Sequence, residues 1–349
     1  MRLSDFDYTL PQELIAQEPL PQREKSRLMV VDKTTRTIEH RRFEDILDYL
    51  LDDDLIVMND TKVTAKRLYG RKTTGGAVEA LLLRRVAPGL WRAMVKPGRR
   101  VQVGATLEFE AGCEHPELVE RQTGRLTAEV VERTDEGGRI LRFSADTDPD
   151  ALIEAAGEIP LPPYIHKKLS DPDRYQTVYA AAEGSAAAPT AGLHFTKDLL
   201  ARIADRGIRI VYVTLDVGVA TFRPVRVEDI DLHEMHAERF EIGREAAEAI
   251  NNAKGRVVCV GTTTARALES AAVEKGKVMA TAGETKLFIR PPYDFAIVGA
   301  LITNFHMPKS TLLMLVSAFA GTELIRRAYE EAVRYKYRFL SFGDAMLLY

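Results

Sequence analysis

Apolar positions along this chain fall into two regimes. Between residues 76 and 144 they alternate with polar ones over short runs: Val78–Leu83, Leu90–Val95, Thr106–Glu110, Leu126–Val131 and Ile140–Phe143. Pro88-Gly89, Pro97-Gly98, Gly104 and Gly137-Gly138 separate the runs, a pattern that predicts the short strands of a small barrel or sandwich. Outside this segment, compact apolar runs alternate with helical spacing. Leu55–Met58, Ile208–Leu215, Val257–Val260, Lys286–Arg290 and Phe295–Ile302 read as strands. Thr196–Arg206 reads as a helix, with Leu199, Leu200 and Ile203 on one face and Gly207 as its stop. So do Arg244–Lys254 before Gly255, Thr264–Lys275 before Gly276, and a long stretch from Leu312 to Val333. The expected fold class is α/β. A discontinuous large α/β domain (residues 1–70 and 150–349) would carry a small inserted antiparallel β-barrel domain (residues 71–149).

A length of 349 residues suits two domains. The net charge of −3 conceals a strong asymmetry. Residues 61–110 hold eleven lysines and arginines against three glutamates; the next fifty hold twelve acids against five arginines. The basic half, which includes Arg67, Arg99 and Arg100, suits a phosphate-rich partner, because cations that pair with phosphates release condensed counterions. Arg334-Tyr-Lys-Tyr-Arg-Phe339 interleaves cations and aromatics, as a base-stacking surface or the amphipathic end of a helix would. The two cysteines, Cys113 and Cys259, have no metal or redox spacing, which fits a reducing cytosol. No basic start leads into an apolar stretch, and Leu312–Ala320 is too short to span a bilayer. A soluble cytoplasmic protein without membrane contact is expected.

Open α/β sheets bind ligands beyond the carboxyl ends of their strands. Four expected strands end in concentrated polar chemistry. These ends are Asn59-Asp60-Thr61; Asp216-Val-Gly218 followed by Thr221; Gly261-Thr-Thr-Thr264; and Asn304, His306 and Lys309 before Ser310. Glycine and hydroxyls at a helix start suit an anion or a ribose, and Pro308 and Ser310 suit a first helical turn. The loop from Tyr175 to His194, rich in small residues and holding Pro189 and Gly192, lets a ligand approach its backbone. His233-Glu-Met-His236 has helical i, i+3 spacing but lacks the zincin pattern, so acid–base or hydrogen-bonding roles are expected rather than a metal.

Several long segments together resemble the S-adenosylmethionine:tRNA ribosyltransferase-isomerase family of queuosine biosynthesis. They include Asn59-Asp-Thr-Lys-Val63 with Arg67, Tyr175-Gln-Thr-Val-Tyr179, Ala188-Pro-Thr-Ala-Gly-Leu-His-Phe-Thr196 and Thr221-Phe-Arg-Pro-Val225. The likeness continues through His233-x-x-His236, Val260-Gly-Thr-Thr263, Leu301–Ser310 and Ser341-Phe-Gly-Asp-Ala-Met346. It implies transfer and isomerisation of the ribosyl part of S-adenosylmethionine onto 7-aminomethyl-7-deazaguanine at a tRNA wobble position. Epoxyqueuosine-tRNA forms, and adenine and methionine leave. The donor is a co-substrate, and no metal is implied. A monomer or small homo-oligomer is expected.

Such chemistry needs a base for the carbon beside the sulfonium, a donor to the departing adenine, and a base to free the attacking amine. Proton transfer is expected of His194 and His306, with Asp60 and Asp216 steadying sulfonium or ribose hydroxyls. Gly192, Gly218, Gly261, Thr262, Thr263 and Asn304 are the expected donor-binding set, and Arg67, Lys309, Arg99 and Arg100 the tRNA-binding set. The chain departs from the family pattern at Asp216, where a histidine is expected, at Ala220, where a glycine is usual, and at Ala237-Glu-Arg239. Rival readings are an RNA methyltransferase using the same donor, a non-catalytic tRNA-binding homologue, and a metal-dependent hydrolase built on His194, His233, His236 and His306.

Overall fold

Leu55–Asn59, Val257–Val260 and Ala300–Asn304 are buried at every position, as strands covered on both faces must be. The computed structural model describes residues 1–110, 125–134, 137–218, 225 and 227–349. In it, these three strands and Arg209–Leu215 run parallel and adjacent, in the order 209–215, 55–59, 257–260, 300–304. Ala345–Leu348 adds antiparallel to the last of them and leads to Arg27–Asp32 and Thr37–Arg42; Glu238–Ile242 and Thr281–Thr285 complete nine strands on the other side. Phe43, Ile46, Met58, Phe195, Leu199 and Ile203 pack one continuous core against this sheet.

The chain divides into two compact units. One comprises Met1–Lys62, Pro162–Ala182 and Ala188–Tyr349; the other comprises Val63–Leu161 and Glu183–Ala187. The second unit is a closed antiparallel barrel of six strands: Lys66–Lys72, Ala77–Ala87, Leu90–Lys96, Thr106–Glu110, Arg125–Arg133 and Arg139–Ser144. Inward residues such as Leu82, Trp91, Leu107 and Leu141 alternate with outward polar ones and fill its core. Lys66–Lys72 buries only Leu68, which is why its apolar pattern is silent in the sequence.

Several expected boundaries move, each for a physical reason. The expected strand at Lys286–Arg290 is irregular chain; Thr281–Thr285 pairs with Glu238–Ile242 instead, through backbone bonds that need no apolar pattern. The strand expected from Phe295 begins at Ala300, because the Glu269 carboxylate accepts the N–H groups of Ala296, Ile297 and Val298 at 2.9, 2.9 and 3.1 Å. The helix expected over Thr264–Lys275 spans Thr262–Ala271, after which Ala272–Glu274 folds back on Lys277–Val278. Arg244–Asn251 is shorter than expected, and Gly255 serves close packing rather than capping: a Cβ there would lie 2.5 Å from the Asp53 carbonyl oxygen. The long terminal helix is two, Thr311–Ala320 and Thr322–Arg334, broken at Gly321 with φ +90°. Ser310 caps the first by accepting from the N–H of Leu313, so Pro308 precedes the helix rather than opening it. His233 and His236 lie on irregular chain, not on a helix. Tyr337 and Phe339 are buried, so the basic-aromatic segment does not offer alternating rings to solvent. Cys113, Ala220 and Thr221-Phe-Arg-Pro224 lie outside the described residues. Among the described residues, no helix is long and apolar enough to cross a membrane.

At the amino-terminal edge of the central strands, Arg256 grips Asp54 with two bonds, Nε–Oδ1 at 3.0 Å and Nη2–Oδ2 at 2.6 Å. The Asp54 side chain is fully buried. Removing one member of such a pair strands the other, so Asp54→Ala should lower unfolding free energy by about 3 kcal/mol. Urea melts of both proteins measure this, and an unchanged midpoint would contradict it.

Candidate active site

The parallel order of the four central strands puts four polar strand ends side by side. Asn59, fully buried, joins three of the segments. Its Oδ1 accepts from the N–H groups of Thr61 and Leu215 at 3.1 and 3.0 Å; its Nδ2 donates to the Leu215 carbonyl at 2.9 Å and to Thr263 Oγ1 at 3.3 Å. Beyond this edge lies a cavity of about 370 Å³, within the range of small-molecule sites.

Gly261, Thr262, Thr263, Asn304 and His306 line the cavity, together with Thr190, Tyr164, Phe305, Leu340 and Ser341. None of its described lining residues carries a formal charge at neutral pH. Two helices begin on its wall, at Thr262 and Thr311, and their N-termini supply its fixed positive partial charge. Gly261 opens the first helix at φ +94°, a conformation that costs a side-chain-bearing residue, and it gives that helix no side-chain cap.

His306 hydrogen-bonds through Nε2 to Thr303 Oγ1 at 2.8 Å. Its backbone N–H donates to the Tyr329 hydroxyl at 3.0 Å, and its carbonyl accepts from the Tyr8 hydroxyl. Nδ1 makes no hydrogen bond with a described residue, so an imidazole protonated at Nε2 keeps an available lone pair. Burial pushes its pKa from 6.5 down to about 3, and the ring is neutral at neutral pH.

His194 does not reach the cavity wall; it stands behind Asn304. Thr190 Oγ1 donates to Asn304 Oδ1 at 2.8 Å, which turns the Asn304 amide toward His194 Nε2, 3.1 Å away. Nε2 therefore accepts, and Nδ1–H donates to Ser26 Oγ at 2.7 Å. The ring stacks on Phe43 with centroids 4.9 Å apart. Burial first, then the charges of Arg23 and Arg338, depress its pKa to about 3.

Asp60 and Asp216 occupy the neighbouring strand ends without lining the cavity, although Val217 does. Thr214 Oγ1 donates to Asp60 at 2.7 Å and Thr61 Oγ1 to Asp216 at 3.0 Å. Burial raises the Asp60 pKa, opposed by its hydrogen bonds and helped by Glu241 and Asp216. Gly192 serves packing, since a Cβ there would meet the Tyr179 hydroxyl at 2.0 Å. The Gly218 N–H donates to Glu238, whose other oxygen pairs with buried Arg266.

Lys309 has its backbone in the left-handed region, at φ +57°, and its ammonium lies 2.7 Å from Asp7. Arg67 stands on the barrel beside Glu79 at 3.1 Å, whereas Arg99 and Arg100 are exposed there without an ion pair to any described residue. Among the described residues, no three His, Cys, Asp or Glu side chains converge as a metal site would require. Sequence reasoning missed Ser26, Tyr164 and Leu340. Ser341 had signalled itself only through the segment Ser341–Met346.

The family described as "Queuosine biosynthesis protein" matches residues 3–348. Proteins named S-adenosylmethionine:tRNA ribosyltransferase-isomerase are similar over their full length. Those of Desulforamulus reducens and Halothermothrix orenii are each 51% identical over 352 residues, and that of Clostridioides difficile is 50% identical, with 100% of both chains covered. The crystal structure of an S-adenosylmethionine tRNA ribosyltransferase from Thermotoga maritima aligns at 37% identity. The match covers 99% of this chain and 100% of that one, with a TM-score of 0.54.

The two depressed imidazoles set a pH dependence. Between about 3 and 6.5 the unfolded chain binds protons that folded His194 and His306 refuse. Their contribution to stability is thus complete above pH 6.5 and is lost as pH falls towards 3. Each should add about 1.4 kcal/mol per pH unit to the slope in that window. Urea midpoints at pH 7, 6 and 5 should fall less steeply in His306→Gln than in the parent; parallel slopes would contradict the assignment.

Proposed function

The chain belongs to the queuosine biosynthesis protein family, and we propose that the cavity beyond its four parallel strands holds S-adenosylmethionine while the ribosyl part passes to tRNA. The acceptor is the aminomethyl group of 7-aminomethyl-7-deazaguanine at the wobble position. Adenine and methionine depart, and the product is epoxyqueuosine-tRNA. The observation that carries this reading is a roomy cavity, uncharged among its described lining residues, bearing one neutral imidazole with a spare lone pair, two helix N-termini and several hydroxyls.

In this cavity His306 takes the proton from the carbon beside the sulfonium. Burial makes it a weak base, but that carbon is acidified by the adjacent positive charge. Thr303 holds the ring through Nε2 and so keeps Nδ1 as the acceptor. Thr262, Thr263 and Asn304 bind ribose or adenine, with Gly261 letting the donor approach the backbone. His194 is a positioning residue: through Nε2 it holds the Asn304 amide, and Ser26 holds His194 in turn. Asp60 and Asp216, at the adjoining strand ends, steady the ribose hydroxyls or the sulfonium and receive the incoming amine's proton. Arg99 and Arg100 meet tRNA phosphates, and Arg67 and Lys309 do so with part of their charge already met by Glu79 and Asp7.

Donor labelled in the ribose, incubated with tRNA bearing the aminomethyl base, should label the tRNA and release adenine. Donor labelled in the methyl group should leave none. Methyl label on the tRNA would establish the methyltransferase reading instead, and binding without adenine release the non-catalytic one. His306→Ala should lower kcat by about 10²–10⁴-fold, the usual contribution of a positioned acid–base group, and change donor affinity much less. Wild-type turnover in that variant would remove His306 from the chemistry.

A further inference from the structure

Beside the cavity lies a second, smaller depression with the opposite electrostatic character. Arg23, Arg174, Ser26, His194, Ser341 and Gly343 are among its walls, and it encloses about 20 Å³, room for one water or one anion oxygen. We propose that this depression binds a phosphate of the RNA next to the nucleotide being modified. The inference rests on the functional reading above and adds to it a defined anion site.

Half-buried Arg23 and Arg174 line the depression, and half-buried Arg338 stands near enough to act on His194 in its wall, with no carboxylate directly paired to any of the three among the described residues. No described acid forms an ion pair with Arg23, Arg174 or Arg338. Four acids act on them only from a distance: Glu24 and Asp171 on Arg23, and Glu18 and Asp344 on Arg338, with Glu18 itself paired to Lys167 and Asp344 to Arg27 at 3.0 Å. The arginines are held instead by carbonyls. Arg23 donates to Gln176 at 3.3 Å, Arg174 to Leu20 and Pro21, and Arg338 to Glu18. Carbonyls fix the geometry but cancel no net charge. Arg174 Nε and Arg338 Nη1 are buried with no hydrogen-bond partner among the described residues, an arrangement that costs about 1–3 kcal/mol per group until an acceptor arrives. The strain is also electrostatic: burial and then Arg174 hold the Arg23 pKa below its ordinary value, and Arg23 and Arg338 both bear on His194.

An oxyanion relieves both conditions, and guanidinium forks match the geometry of phosphate. Position decides which one. Ser341 belongs to the walls of both the depression and the cavity, so an anion seated here lies one side chain from whatever fills the cavity. A nucleotide that brings its base to the cavity brings a phosphate on either side of it. The rim is open to solvent through half-buried Arg23 and Arg174, the side from which a polymer backbone arrives.

The test uses RNA stem-loops carrying the aminomethyl base, with an uncharged methylphosphonate linkage placed on the 5′ or the 3′ side of that nucleotide. With the parent protein, one of the two should weaken binding about tenfold. It should also flatten the dependence of log affinity on log salt concentration by about 0.7–0.9, the effect of losing one phosphate. Arg23→Gln should weaken the ordinary RNA similarly, become indifferent to that neutral linkage, and retain the parent's affinity for S-adenosylmethionine. Indifference of the parent to both linkages would overturn the proposal without needing any variant to fold. So would an Arg23→Gln protein that binds RNA normally but loses affinity for S-adenosylmethionine, and for it alone rather than for its decarboxylated analogue, which would assign the depression to the donor's carboxylate. If the parent transfers labelled ribose yet ignores both linkages, the phosphate site falls and the functional reading stands. If it responds to the linkage yet transfers no ribose, the reverse holds.

Discussion

Everything at the working edge depends on how the buried strands terminate. Strands covered on both faces cannot hold polar side chains along their length without a partner for each. Polar chemistry therefore collects where the strands stop, and buried asparagines stitch those ends together. Asn59 uses its amide donor and acceptor at once to join its own strand end, Leu215 and the helix beginning at Thr262. Asn304 does the same between Thr190 and His194. A fully satisfied amide of this kind rigidifies its surroundings, which is what a site needs if it is to hold reacting atoms in register.

The electrostatics divide in two. Among its described lining residues the larger cavity carries no formal charge, and its imidazole is neutral because it is buried rather than because an acid balances it. On the proposed reading, a sulfonium placed there meets no carboxylate in the described wall, and Asp60 and Asp216 at the adjoining strand ends steady it without pairing with it directly, so its charge remains available to acidify the neighbouring carbon. The depression beside it is cationic, with no acid directly paired to its arginines among the described residues. The first environment suits the donor and the second suits the polymer that accepts the sugar. Ser341 stands between them.

Asp216, where the family resemblance leads one to expect a histidine, is held at its strand end by its own contacts. It takes a hydroxyl bond from Thr61 and sits at a strand end next to Val217, itself part of the cavity wall. As a carboxylate it adds negative charge near Asp60. The raised pKa of Asp60 reflects that neighbour in part, after burial and Glu241.

Much of the sheet was legible in the sequence because its evidence is local. Leu55–Asn59, Val257–Val260 and Ala300–Asn304 announce themselves by continuous apolar runs, and the strand-end residues Asn59, Gly261, Thr262, Thr263, Asn304 and His306 follow those runs directly. Thr281–Thr285 and Lys66–Lys72 did not, because edge and barrel strands are defined by backbone pairing that carries little apolar signature. The tertiary structure alone placed His194 behind Asn304 rather than in the cavity, and set Arg23 and Arg174 in one depression, with Arg338 acting on His194 in its wall, from segments some 150 residues apart. Periodicity records how each residue meets its own element's core. Which side chains face one another across elements is set by the packing of the whole chain, and no local pattern encodes it.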